Sequence, residues 1–126
     1  MLNDERGIGD NEIELIRRLL DYAFPGDPLF SIQIDKLEKL ISINDDNTIL
    51  RIAFSGDYEK HRGKIFRPNL SGYVEASGID SDGGVVNAML WITDGEIKDL
   101  EFLRPDAEKV QCQPKASDLY GFQKAI

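Results

Sequence analysis

The chain has one cysteine, one histidine and one tryptophan in 126 residues. The lone Cys112 leaves no internal disulfide framework and fits a reducing compartment. A zinc centre would need more ligands than Cys112 and His61 can supply, so neither metal nor cofactor is expected. No apolar run approaches the ~20 residues a membrane-spanning helix requires. The opening stretch MLNDERGIGDNE is acidic and contains glycine, with no basic segment followed by an apolar one. No secretion signal is therefore expected, and the expected setting is the cytoplasm. Asn69-Leu70-Ser71 matches a glycosylation acceptor, but without such a signal the match is formal.

Basic side chains are also scarce: 15 Lys and Arg stand against 23 Asp and Glu, a formal charge of −8. Nucleic acid is disfavoured as a ligand, because Lys and Arg neutralising phosphates supply most of that affinity. An anionic membrane surface is disfavoured for the same reason. The acidity serves solubility through self-repulsion or, in the sharper reading, matches a basic protein partner.

Catalytic signatures are missing as well. There is no Gly-x-Ser-x-Gly elbow, Ser-x-x-Lys pair or phosphate-binding loop. Gly7-Ile8-Gly9 lacks the third glycine and the preceding strand of a dinucleotide-binding turn. Asp80-Ser81-Asp82-Gly83 opens like a calcium loop, but Trp91 stands where a closing acid would be needed, so it reads as a tight turn. Asp99, Glu101 and Glu75 reach the ~5–10 Å separation of paired acid/base carboxylates, as many surface pairs do.

What the sequence does contain is patterning. Its length predicts one domain, with residues 1–10 frayed and residues 113–126 an irregular tail. Ile13, Ile16, Leu19, Leu20, Ala23 and Phe24 recur at helical spacing after an N-cap at Asp10 or Asn11, and Pro25-Gly26 ends the helix. Pro28–Ile34 reads as a short irregular or helical piece, Glu38–Ile43 as a strand, and Thr48–Phe54 as its return after Asp45-Asp46-Asn47. The stretch from Ser55 to Leu70 reads as a long loop, with an edge strand at Lys64–Arg67. It carries Lys60, His61, Arg62 and Lys64, a candidate anion or ligand loop.

The most decisive stretch is Tyr73 to Leu103, three strands joined by Asp/Gly turns. A two-residue turn at Asp94-Gly95 would place Asp99 and Glu101 on the face of Ala88, Leu90 and Ile92, burying carboxylates at a multi-kilocalorie cost. A three-residue loop, Thr93-Asp94-Gly95, avoids this and pairs Val86 with Phe102 and Ala88 with Leu100. The inner face then comprises Val86, Ala88, Leu90, Ile92, Leu100 and Phe102, extended by Val74 and Ala76. The outer face holds Tyr73, Glu75, Met89, Trp91, Asp99 and Glu101, an acidic surface with aromatics of the kind used at protein interfaces. Alternatively, the long loop or the tail folds over Trp91 and Met89.

The meander, with Asp82-Gly83, Val86 to Ile92, Asp94-Gly95 and Asp99-Leu100-Glu101, resembles a family of small bacterial proteins of unknown function. Phe24-Pro25-Gly26 and Pro114 with Asp118-Leu119 extend the likeness over most of the chain, and Asp99 departs from the commoner glutamate. The resemblance implies a compact α+β fold and no established activity. In size and charge the chain is also similar to bacterial toxin immunity proteins, an analogy without a shared motif. The expected architecture is α+β: an N-terminal helix on a mainly antiparallel sheet of about five strands. The expected function is non-enzymatic protein binding through the outer face, with an immunity-type protein neutralising a basic toxin as its specific form. The alternative is a small hydrolase or small-molecule-binding domain using the His61 loop and the sheet carboxylates.

Overall fold

The computed structural model describes residues 4–126. Helix α1 spans Asp10–Ala23 and buries Leu15, Ile16, Leu19, Leu20 and Ala23 along one stripe, as an amphipathic helix on a sheet must. Its N-cap is Gly9, and the Glu12 carboxylate reaches back to accept the Gly9 N–H at 2.9 Å. The helix stops at Phe24, followed by Pro25 and by Gly26 at φ +73°. Helix α2, Pro28–Asp35, starts with Asp27 accepting the N–H groups of Leu29 and Phe30 and with proline in its first turn.

The strands are β1 (Glu5–Gly7), β2 (Leu37–Ser42), β3 (Ile49–Phe54), β4 (Gly72–Ile79), β5 (Val85–Thr93), β6 (Glu96–Leu103) and β7 (Tyr120–Ala125). Among the described residues they form one seven-stranded antiparallel sheet in the order β1-β2-β3-β6-β5-β4-β7. The architecture is α+β as expected, but the sheet has seven strands instead of about five. The additional strands are its edges. β1 arises from the stretch read as frayed, whose residues 1–3 lie outside the described residues, and β7 arises from the tail read as irregular. All three residues of β1 are exposed, and only Phe122 of β7 is partly covered. An edge strand held by backbone pairing while its side chains face solvent leaves little alternation to read.

The helices cover one face of the sheet. Val74, Ala76, Val86, Ala88, Leu90, Ile92, Leu100 and Phe102 form that face, each at most 3% exposed, with Leu40, Leu50 and Ile52 from the first hairpin. The inner-face assignment therefore holds, yet the register that was meant to explain it does not. The turn is the two-residue form: Thr93 pairs with Glu96, and both Asp94 (φ 49°) and Gly95 (φ 84°) are left-handed. A bulge then intervenes, since Ile92 pairs with Ile97 but Trp91 pairs with Asp99. The extra residue, Lys98, restores the parity that the short turn would have inverted. Ala88 consequently faces Phe102 and Leu90 faces Leu100, so the expected pairs Val86–Phe102 and Ala88–Leu100 are corrected by two residues.

The bulge has a partner in α2. Gln33, fully buried, accepts the Ile97 N–H through Oε1 at 2.8 Å and donates through Nε2 to the Gly95 carbonyl at 2.9 Å. Its carboxamide does what the peptide group of a neighbouring strand would do where β3 no longer pairs with β6. Replacing Gln33 with leucine keeps the volume and adds apolar surface. It should nevertheless lower the unfolding free energy by about 2–3 kcal/mol, because two backbone groups lose their partners inside the core. Urea unfolding checks this, and an unchanged midpoint would mean that the bulge satisfies itself otherwise.

Candidate functional site

Tyr73, Glu75, Met89, Trp91, Asp99 and Glu101 all lie on the face of the sheet opposite α1, as alternation along β4, β5 and β6 predicts. One cross-strand row runs Glu5, Ile41, Arg51, Asp99, Trp91, Tyr73, Ala125 across every strand. The adjacent row runs Ile49, Glu101, Met89, Glu75, Gln123. Met89 is 9% exposed, and the other five are partly exposed.

Within this face the side chains hold one another. The Tyr73 and Trp91 rings sit 5.1 Å apart, tilted by 55°. The Trp91 indole N–H donates to Glu101 at 2.9 Å, Gln123 donates to Glu75, and Arg51 pairs with Asp99 at 3.2 Å. The face carries more exposed apolar side chains than the sequence indicated. Ile79 (49% exposed), Val85 (38%) and Tyr120 (48%) lie on it around the hydrogen-bonded Ser77 and Asn87. Tyr120 was unreadable because β7 was read as tail, whereas Ile79 and Val85 follow from extending the alternation to the ends of their strands.

The tail does not fold over Trp91. Its short 3₁₀ turn, Ala116–Asp118, docks on α1: Asn11 donates to the Pro114 carbonyl at 3.0 Å and accepts the Ala116 N–H at 2.9 Å, and Arg18 donates to the Ala116 carbonyl. The chain then pairs with β4 as β7. The segment after β3 forms a 3₁₀ turn, Gly56–His61, and a one-turn helix α3, Arg62–Ile65, so the strand expected at Lys64–Arg67 is absent. Tyr58 and Ile65, each 1% exposed, anchor this segment, so local helical turns replace an extended edge.

The basic residues of that segment differ in exposure and in partners. Lys60, Arg62 and Lys64 are exposed, and His61 is partly covered. Among the described residues, Lys60, His61 and Lys64 make no side-chain hydrogen bond, whereas Arg62 bonds Glu59 and Glu96 and Arg67 pairs with Asp27. Glu96 was not singled out from sequence, yet it is the hub here: 7% exposed, it accepts the Tyr58 hydroxyl at 2.8 Å, Arg62 at 2.7 Å and Lys98 at 2.6 Å. Burial and the Glu96 carboxylate both push the Tyr58 phenol above its ordinary range. Arg62, Phe66, Thr93, Asp94, Glu96 and Lys98 line an adjoining cleft of about 160 Å³, and His61 is not part of its wall. That is roughly half the ~300 Å³ at which ligand pockets begin.

The calcium-like stretch has a structural occupation. Asp80, 3% exposed, accepts the N–H groups of Ser81, Gln111 and Cys112 and the Arg104 guanidinium. Arg104, 8% exposed, also pairs with Asp82 at 2.7 Å and Asp106 at 2.6 Å. The turn carboxylates thereby clip the chain after β6 to the β4–β5 hairpin. Burial raises the Asp80 pKa, but its backbone donors outweigh that and hold the carboxyl below the usual range. Hydrogen bonds from Arg104 lower Asp82 and Asp106.

No protein-family model matches the chain, and no curated protein or solved structure matches it.

Carboxylates with depressed folded-state pKa values contribute stability that is complete above their unfolded values near 4 and is lost as pH falls through the folded values. The melting temperature should therefore hold steady above about pH 5 and fall steeply below about pH 4. Asp80→Asn should melt lower at neutral pH and show a shallower acid slope. A variant with the wild-type acid slope would show that the Asp80 charge contributes nothing.

Proposed function

We propose that this chain is a non-enzymatic protein-binding module that engages its partner through the open face of the sheet. One observation carries the reading: Tyr73, Glu75, Trp91, Asp99 and Glu101 share one face of the sheet with Met89 and stay partly exposed there, while the tail pairs at the sheet edge. Interface centres favour aromatics and methionine, which bury area at little entropic cost, and carboxylates around them fix register against a basic surface. Seven strands about 4.8 Å apart, the central ones about 27 Å long, present on the order of 700 Å². A stable interface buries about 800 Å² per partner.

The charge of −8 supports a partner with a basic surface. The specific form of the proposal is an immunity-type protein of the cytoplasm that neutralises a basic toxin by covering its working surface. No helix among the described residues is long and apolar enough to cross a membrane, which is compatible with that setting. The alternative of a hydrolase or small-molecule site at Lys60, His61, Arg62 and Lys64 has less support, because the adjoining cleft is small and His61 lies outside its wall.

A tagged wild-type chain should retain a basic protein from a lysate of its source at low salt and release it at high salt. The double variant Trp91→Ala/Glu101→Lys, shown by circular dichroism to be folded, should lose that protein. Undiminished capture by the folded double variant would remove this face as the docking site.

A further inference from the structure

The charge imbalance of the open face is concentrated in one row. Glu5 is paired with Lys39 and Asp99 with Arg51, whereas Glu75 and Glu101 pair with no cation among the described residues. Their partners are neutral donors: Gln123 Nε2 on Oε1 of Glu75, and Trp91 Nε1 on Oε1 of Glu101. Each carboxylate is held by one oxygen, and the Oε2 atom of each accepts no hydrogen bond among the described residues. The two flank Met89 directly, because Glu75 faces Met89 across β4–β5 and Glu101 faces it across β5–β6. Two strand spacings separate their backbones by about 10 Å. Trp91 and Tyr73 stand in the next row.

This juxtaposition selects among cations. A guanidinium is planar and weakly hydrated: its faces lie on apolar or aromatic groups while its edges donate to carboxylates on either side. An ammonium is compact and strongly hydrated, and it gains less from a thioether floor and an indole wall. A second copy of the chain is a poor occupant. Face-to-face packing would set these rows against a surface of the same negative sign, with Arg51 already on Asp99. From this charge complementarity we infer that the row Glu75–Met89–Glu101, walled by Trp91, receives an arginine side chain projecting from the partner protein. The inference rests on the docking reading above and names the group that the face recognises.

Trp91 is the only tryptophan, so its emission reports this row directly. The probes are hexaarginine and hexalysine peptides, titrated into the intact chain at low salt. Hexaarginine should change the emission saturably, with a Kd about tenfold below that of hexalysine. Glu75→Gln/Glu101→Gln should weaken hexaarginine by about tenfold or more. Asp21→Asn/Asp35→Asn, which removes the same charge from exposed positions on α1 and α2, should leave that Kd unchanged. Equal affinity for the two peptides, equal weakening by the two double variants, or an unresponsive indole would overturn the arginine assignment. The docking reading fails separately. If the lysate partner is lost by Trp91→Ala/Glu101→Lys but retained by Glu75→Gln/Glu101→Gln, the face stands and the arginine falls. If no partner depends on Trp91 while hexaarginine still discriminates, the cation site stands without the protein interface.

Discussion

A sheet covered on one side only must keep every strand in phase, because a one-residue slip exchanges its core side chains for its solvent side chains. In this chain that constraint meets a turn of the wrong length. Asp94-Gly95 closes as a tight left-handed pair, which alone would carry Asp99 and Glu101 into the core. The bulge around Lys98 corrects the phase, and the Gln33 carboxamide supplies the hydrogen bonds that the departing β3 does not. The apolar face of β6, the position of α2 and the outward display of two carboxylates all depend on that arrangement.

A second group of polar contacts holds the chain ends to the body. Glu12, 3% exposed, accepts Arg6 of β1, the Gly9 N–H at the start of α1 and Gln113 of the tail. Burial works against its ionisation, but these donors outweigh it and keep its pKa below the ordinary value. Asp80 and Arg104 fasten the return from β6 in the same manner. Buried charges of this kind gain little net free energy over apolar packing, but removing one partner is costly, which makes them effective determinants of path. Between them they bring the tail past α1 and lay it down as the seventh strand.

That routing is what leaves the outer face open. Had the tail crossed Trp91, the aromatic pair would be core. With the tail at the edge, Tyr73 and Trp91 remain partly exposed beside Glu75 and Glu101. The long segment after β3 is likewise tied down by Tyr58, stacked 4.0 Å from Phe54, and by Ile65, at the turn end of the meander. Within it Arg62 pairs with Glu59 and Glu96, and Arg67 pairs with Asp27.

By itself the sequence determined the inward residues of β4 and β5 and, on β6, Leu100 and Phe102, where α1 begins and ends to within a residue or two, and the α+β class, but not Ile97, which the bulge turns into the core. These follow from local periodicities of two and of about 3.6 residues, which hydrophobic burial enforces wherever a strand or helix has a covered side. The six residues of the candidate face were legible for the same reason. Only the tertiary structure decided the register, the edge strands, the neighbours of Glu96 and the openness of the face. Each depends on groups distant in sequence: Gln33 meets Ile97, Tyr58 meets Glu96, Asp80 meets Cys112, and Glu75 meets Gln123. A polar side chain carries no periodic signal announcing its partner, and an edge strand held by its backbone carries almost none, so these contacts exist only once the chain has folded.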